Sequence, residues 1–265
     1  MNLWMLALPG VLFFPAVGFS QQSILRGNPC GIMDSAWLDP LNLTENPAAA
    51  ATISSTQVAV SAGRFKDVKG LNFISAAFAT PFKKLVAGLV IHHTGSFGYQ
   101  QSDVNLVLGK DLGFINLGIV FHSNFISVQT IGGYHTMHIG VGIMKTSGQL
   151  SFGTSLRGIG LGKDRDILGE VHHFKVSSHC LFKVSDVVSL AILGSKETGN
   201  PVSIQPAVYY QAGVINFSMG FDSLANSLFL LVGWEFKACE VKMMLGYQSN
   251  LGILNGVEWL YKRSR

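Results

Sequence analysis

Residues 213–221, Gly-Val-Ile-Asn-Phe-Ser-Met-Gly-Phe, separate into two interleaved sets. Ile215, Phe217, Met219 and Phe221 are large and apolar, whereas Val214, Asn216, Ser218 and Gly220 are smaller or mildly polar. Successive side chains of a strand point to opposite faces, so one face here is oily and the other small, with no charge on either. The pattern recurs. Ile115, Leu117, Ile119 and Phe121 alternate with Asn116, Gly118 and Val120, and Ile139, Val141 and Ile143 with His138, Gly140 and Gly142. Leu150, Phe152 and Leu156 oppose Ser151, Gly153, Ser155 and Arg157. Phe174, Val176, Cys180 and Phe182 oppose His173, Lys175, Ser177 and His179, and Val241, Met243, Leu245 and Tyr247 oppose Lys242, Gly246 and Gln248.

Composition decides what the oily faces touch. Charged residues make up 13% of the 265, against about 25% in ordinary soluble domains. Glycine is abundant at 30 residues, and mean hydropathy is +0.35. Yet beyond the N-terminus there is no uninterrupted apolar run of about 18 residues, the length a membrane helix needs. A chain too oily for water and without spanning helices points to an all-β transmembrane antiparallel barrel. Lipid takes the oily set, and closure is required because hydrocarbon offers no partner to a free backbone group. A soluble barrel would reverse the arrangement, with bulk inside and charge outside. A secreted β-sandwich is the competing fold.

The segmentation predicts about fourteen strands: 56–64, 70–80, 84–93, 102–110, 113–122, 135–145, 148–157, 170–183, 186–195, 201–211, 213–222, 225–236, 238–249 and 253–262. Two of them, 84–93 and 225–236, are oily on both sets. Connections after even-numbered strands read as tight turns, as at Asp111-Leu112, Thr146-Ser147 and Lys237-Ala238. Several after odd-numbered strands read as longer loops, at 94–101, 123–134, 158–169 and 196–200. Short turns at one end and longer loops at the other are the habit of outer-membrane barrels.

The first residues read as an export signal, apolar from Leu3 to about Val17 and interrupted by Pro9 and Pro15, with cleavage expected near Ser20. A membrane anchor is the alternative, and the n-region has no lysine or arginine. Residues 1–20 are therefore assigned to a signal peptide, 21–55 to an irregular N-terminal segment in the lumen with one helical turn, and 56–265 to the barrel. Cys30, Cys180 and Cys239 allow one disulfide but no framework. The net charge of +4 is too small and scattered for a nucleic-acid surface.

Leu25-Arg26-Gly27-Asn28-Pro29, then Asp34-Ser35-Ala36-Trp37, then Thr44-Glu45-Asn46-Pro47-Ala48-Ala49 resembles the opening of the FadL-like outer-membrane barrels, in which Asn-Pro-Ala precedes the first strand. Within that group the chain is similar to the PorV- and PorQ-type barrels of type IX secretion in Bacteroidota. The resemblance implies a fourteen-strand barrel with an N-terminal segment tucked into its lumen. Its motif covers Asn46-Pro47-Ala48 alone, and the usual Gly-Gly-Ala stretch is degraded. Pro47 fixes its own φ and pushes Asn46 toward extended geometry, a means of redirecting the chain from lumen to wall. Val257-Glu258-Trp259-Leu260-Tyr261-Lys262 resembles a closing strand.

Chemistry-bearing motifs are sparse. His92-His93, His172-His173 and His135-x-x-His138 place their members on opposite strand faces, so no metal is expected. Gly158-Ile159-Gly160-Leu161-Gly162-Lys163-Asp164 lacks the Ser or Thr and the helix of a phosphate loop. Asp164, Asp166, Glu170 and His172 cluster near one rim without an evident nucleophile. Neither an enzyme nor a cofactor is expected. The residues expected in the lumen or plug are Asn46, Pro47, Arg157, Lys175, Glu235, Lys242 and Glu258, the charges pairing across the interior. The expected role is that of a non-enzymatic accessory subunit of a secretion or surface-assembly complex, in contact with outer-membrane lipid and other envelope proteins. The alternative is a FadL-like passive channel for small hydrophobic compounds.

Overall fold

The structure is a computed structural model and describes residues 40–130, 132–160 and 174–263. Fourteen antiparallel strands follow one another around a closed barrel: β1 (Gln57–Phe65), β2 (Asn72–Phe82), β3 (Leu85–Ser96), β4 (Tyr99–Asp111), β5 (Asn116–Val128), β6 (Gly132–Ser147), β7 (Leu150–Gly160), β8 (Lys175–Lys183), β9 (Val188–Glu197), β10 (Val202–Ala212), β11 (Ile215–Asp222), β12 (Ser227–Phe236), β13 (Cys239–Gln248) and β14 (Gly252–Lys262). β1 pairs with β14 from Gln57↔Lys262 to Phe65↔Leu254, so the sheet has no open edge. Among the described residues no helix is long and apolar enough to cross a membrane.

The two sets of the alternation part as expected. Phe78, Leu89, Ile119, Phe152, Ile192, Met219 and Val257 point outward, from 40% exposed (Leu89) to 52% (Phe152). Val107, Val120, Ser155, Ser218 and Lys242 from the other set are buried inside. Tyr210, Trp234, Trp259 and Tyr261 stand on the outer set near the short-turn rim, the position of the aromatic girdle in membrane barrels. The rings of Trp259 and Tyr261 stack there, with centroids 6.2 Å apart.

At the opposite rim the structure corrects two loops. Residues 94–101 and 123–134 are mostly strand, because β3 and β4 pair out to Ser96↔Tyr99 and β5 and β6 to Val128↔Gly132. The polar residues there obscure the alternation, but the hydrogen-bonded ladder continues through them. The expected tight turns all lie at the other rim, with Lys83 and Lys237 adopting positive φ of 58° and 53° at two of them.

Candidate functional site

Inside the barrel, residues 40–53 lie against the inner face of β1–β6. The chain turns at a short 3-10 helix, Pro40–Asn42, and again at a second, Pro47–Thr52. Asn46 is extended (φ −137°, ψ 104°), as a residue before proline should be. Pro47, however, does not send the chain into the wall. It opens the second 3-10 helix, where its missing N–H costs nothing, and the chain joins β1 only at Gln57. The Asn46 side chain caps this helix: its Oδ1 accepts from the Ala48 N–H at 3.0 Å. Its Nδ2 donates to the Ile143 carbonyl of β6 at 3.2 Å, pinning the segment to the wall.

The wall is shaped for this contact. Gly109, Gly118 and Gly142 are direct cross-strand partners on β4, β5 and β6, forming one row on the inner face. A Cβ on Gly118 would overlap the Pro47 carbonyl group, one on Gly109 would lie 2.6 Å from the Ala51 nitrogen, and one on Gly142 would lie 2.9 Å from the Pro47 Cδ. Only glycine admits backbone at this distance. Ala48, Ala49 and Ala50 are small for the same reason and are buried. The next residue along the row, Ser155, partners Gly142 and donates its hydroxyl to the Glu45 carbonyl at 2.7 Å. Leu41 and Leu43, at 1% and 0% exposure, anchor the segment in an apolar cluster with Val86, Val90 and Leu260. Each such side chain contributes about 1.5–3 kcal/mol by burial.

Two cations of the wall then meet one anion of the segment. Arg157 and Lys175 are opposed across β7 and β8, a position where like charges repel. The Glu45 carboxylate lies between them, paired with the Arg157 guanidinium and 3.5 Å from the Lys175 ammonium. Burial pushes the Glu45 carboxyl up, but the two cations and their hydrogen bonds outweigh it and hold it down at about 2. Glu45 is the partner that strand periodicity could not supply, because it lies 112 and 130 residues from the two cations.

The remaining charges form a second group near the short-turn rim. Lys242 and Glu258 are cross-strand partners with Nζ and Oε1 2.8 Å apart, both buried. Glu240, 3.8 Å from Lys242 and 3.4 Å from Lys262, joins them and accepts from Asn216. Glu235 stands on the inner set but at the rim, half-buried, accepting from Gln211 at 3.4 Å. Arg157, Lys175, Lys242 and Glu258 thus have charged partners, whereas Glu235 meets a neutral amide. Across from the plug, the inner face of β8–β14 is mixed: Leu193, Tyr209, Leu231, Met244 and Leu254 belong to one buried apolar cluster, set among buried polar residues such as Ser203, Gln205, Ser218 and Asp222.

His92 and His93 face opposite ways, the first buried inside and the second bonded to Ser102. Pairing between strands, which single-strand reasoning misses, brings the His122 and His138 rings to 5.5 Å. Among the described residues no three His, Cys, Asp or Glu side chains gather as a metal set, and Cys180 and Cys239 are free thiols. Cys30, the signal region, Trp37, Asp164, Asp166, Glu170, His172 and His173 lie outside the described residues.

No protein-family model matches the chain, and no curated protein matches it. Among solved structures it is similar to one titled CymD monoaromatic hydrocarbon channel, with a TM-score of 0.64 and 10% identity over 91% of this chain and 98% of that one. It is more distantly similar to mutants of the Rhodopseudomonas blastica porin, one at a TM-score of 0.48 and 8% identity over 79% of this chain. At such identities the likeness concerns the fold. It agrees with a closed membrane barrel and adds nothing to the narrower expectation of a PorV- or PorQ-type protein.

Proposed function

We propose that the chain is a non-enzymatic outer-membrane channel for small hydrophobic compounds, with residues 40–53 seated in its lumen as a displaceable plug. The observation that carries this reading is the apolar cluster of Leu193, Leu231, Met244 and Leu254 on the inner side of β9–β14. A water-filled pore lines its interior with polar side chains, whereas here an apolar cluster interrupts the polar lining. The fold shared with a hydrocarbon channel agrees with it. The outward belt makes lipid the immediate partner, and the N-terminal residues supply the export signal. An accessory role in type IX secretion draws no specific support from these features.

Expression in a bacterial host lacking hydrophobic-compound channels of its own tests the proposal. Uptake of ethylbenzene should rise with the barrel present, and uptake of a sugar of similar size should not. Equal ethylbenzene uptake with and without the barrel would remove the channel reading.

A further inference from the structure

Above the glycine row, the inner face of β3–β6 turns polar. The register sets His92, Asp103, Asn124 and Thr136 side by side in one cross-strand row, with Asn105, His122 and His138 in the row below. Asp103 and Asn124 are 7% and 2% exposed. Asp103 receives hydrogen bonds from two neutral amides: Gln101 Nε2 reaches its Oδ2 at 3.0 Å, and Asn124 Nδ2 its Oδ1. Among the described residues no cation forms an ion pair with it. Asn124 Oδ1 is buried without any hydrogen-bond partner.

A buried carboxylate held by neutral donors alone, beside an unpaired carbonyl oxygen, leaves costs uncompensated. The unused capacity is all acceptor: one lone pair on each Asp103 oxygen beyond the amide bonds, and the Asn124 Oδ1. What would satisfy it is a cationic donor with several N–H groups. A metal ion is a poor match, since calcium requires about six to eight oxygens and no acidic set is gathered here. We infer that Asp103 and Asn124 bind the primary ammonium head of a small amphiphilic permeant.

This inference rests on the channel reading, and its test keeps the two apart by measuring binding rather than passage. The full-length barrel in detergent is titrated calorimetrically with 2-phenylethylamine, 2-phenylethanol and ethylbenzene, which share a ring and differ at the head. Near pH about 8 the amine stays an ammonium. The amine should bind about tenfold more tightly than the alcohol, as a charge-assisted contact would. Asp103→Asn should erase that preference and leave ethylbenzene binding unchanged. Should that variant lose its heat-modifiable fold, Asn124→Leu serves instead, with a weakened preference expected. Equal affinities for amine and alcohol, no binding of the amine, or a preference that survives in the folded variant would each overturn the inference. Failure of ethylbenzene uptake in cells would overturn the channel reading alone.

Discussion

Gly118 faces the Pro47–Ala48 peptide so closely that a single added methyl group would occupy the space of the Pro47 carbonyl. The plug therefore docks on the wall backbone to backbone, and the row Gly109–Gly118–Gly142 is its seat. Replacing Gly118 with valine should unseat residues 46–51 at a cost of about 1–3 kcal/mol. The barrel ladder does not depend on that contact. The variant should keep its heat-modifiable migration while the Ala48 and Ala49 amides, now bonded to Asn46, lose protection from hydrogen exchange. Unchanged protection at those amides would mean the seat is not what holds the plug.

The Glu45 latch carries a pH signature. Its carboxyl is held at about 2 in the folded protein against an ordinary 4.5. A group with a depressed folded value stabilises fully above its ordinary value, and the contribution fades as pH falls toward the folded one. Plug docking should be insensitive to pH from 7 to about 5 and weaken between 4.5 and 2. Bilayer conductance recorded at descending pH checks this. Glu45→Gln should show the raised, acid-like conductance already at neutral pH, because Arg157 and Lys175 are then left opposed without their anion.

How much of this was open to a reader of the sequence follows from where lipid lies. Between the rims the outer face must be apolar, so Ile119, Met219 and Val257 imprint a period of two and all fourteen strands could be placed. Beyond the lipid that demand lapses. Thr94-Gly95-Ser96 and Ser123-Asn124 have no large apolar residue on either face, and the strands running through them read as loops. Asn46 and Pro47 were legible as a turn because proline acts locally, but its direction, into a helix rather than into the wall, depends on a glycine row assembled from three strands. Arg157, Lys175, Lys242 and Glu258 were legible as inward charges. Their partners Glu45 and Glu240 were not picked out, since pairing at that distance is fixed by register and not by spacing.

The buried pair Lys242–Glu258 separates the worth of a pair from the penalty of half of one. Lys242→Met alone leaves Glu258 charged at 0% exposure, which should cost about 3–5 kcal/mol. The double variant Lys242→Met with Glu258→Leu should recover most of that loss, with Glu240 retaining Lys262 and Asn216. Urea titration of barrels folded into liposomes reads both. A double variant as unstable as the single would mean that the pair contributes net stability beyond mutual neutralisation.

Depth in the membrane can be read from the outer face by a matched pair of substitutions. Ile192 lies mid-strand on β9, 49% exposed, opposite Cys180 and Pro206 on its neighbours. Phe114 is 72% exposed in the turn between β4 and β5. An ammonium placed at the bilayer midplane costs about 2–4 kcal/mol, and near the interface about 0–1. Ile192→Lys should therefore destabilise the liposome-folded barrel by the larger amount, and Phe114→Lys hardly at all. In detergent, where the apolar layer adapts around a charge, the gap between the two should narrow. If both lysines cost the same in liposomes, the outward set does not face hydrocarbon, and the inside-out logic that places Glu45, Asp103 and the glycine row within the lumen would fail with it.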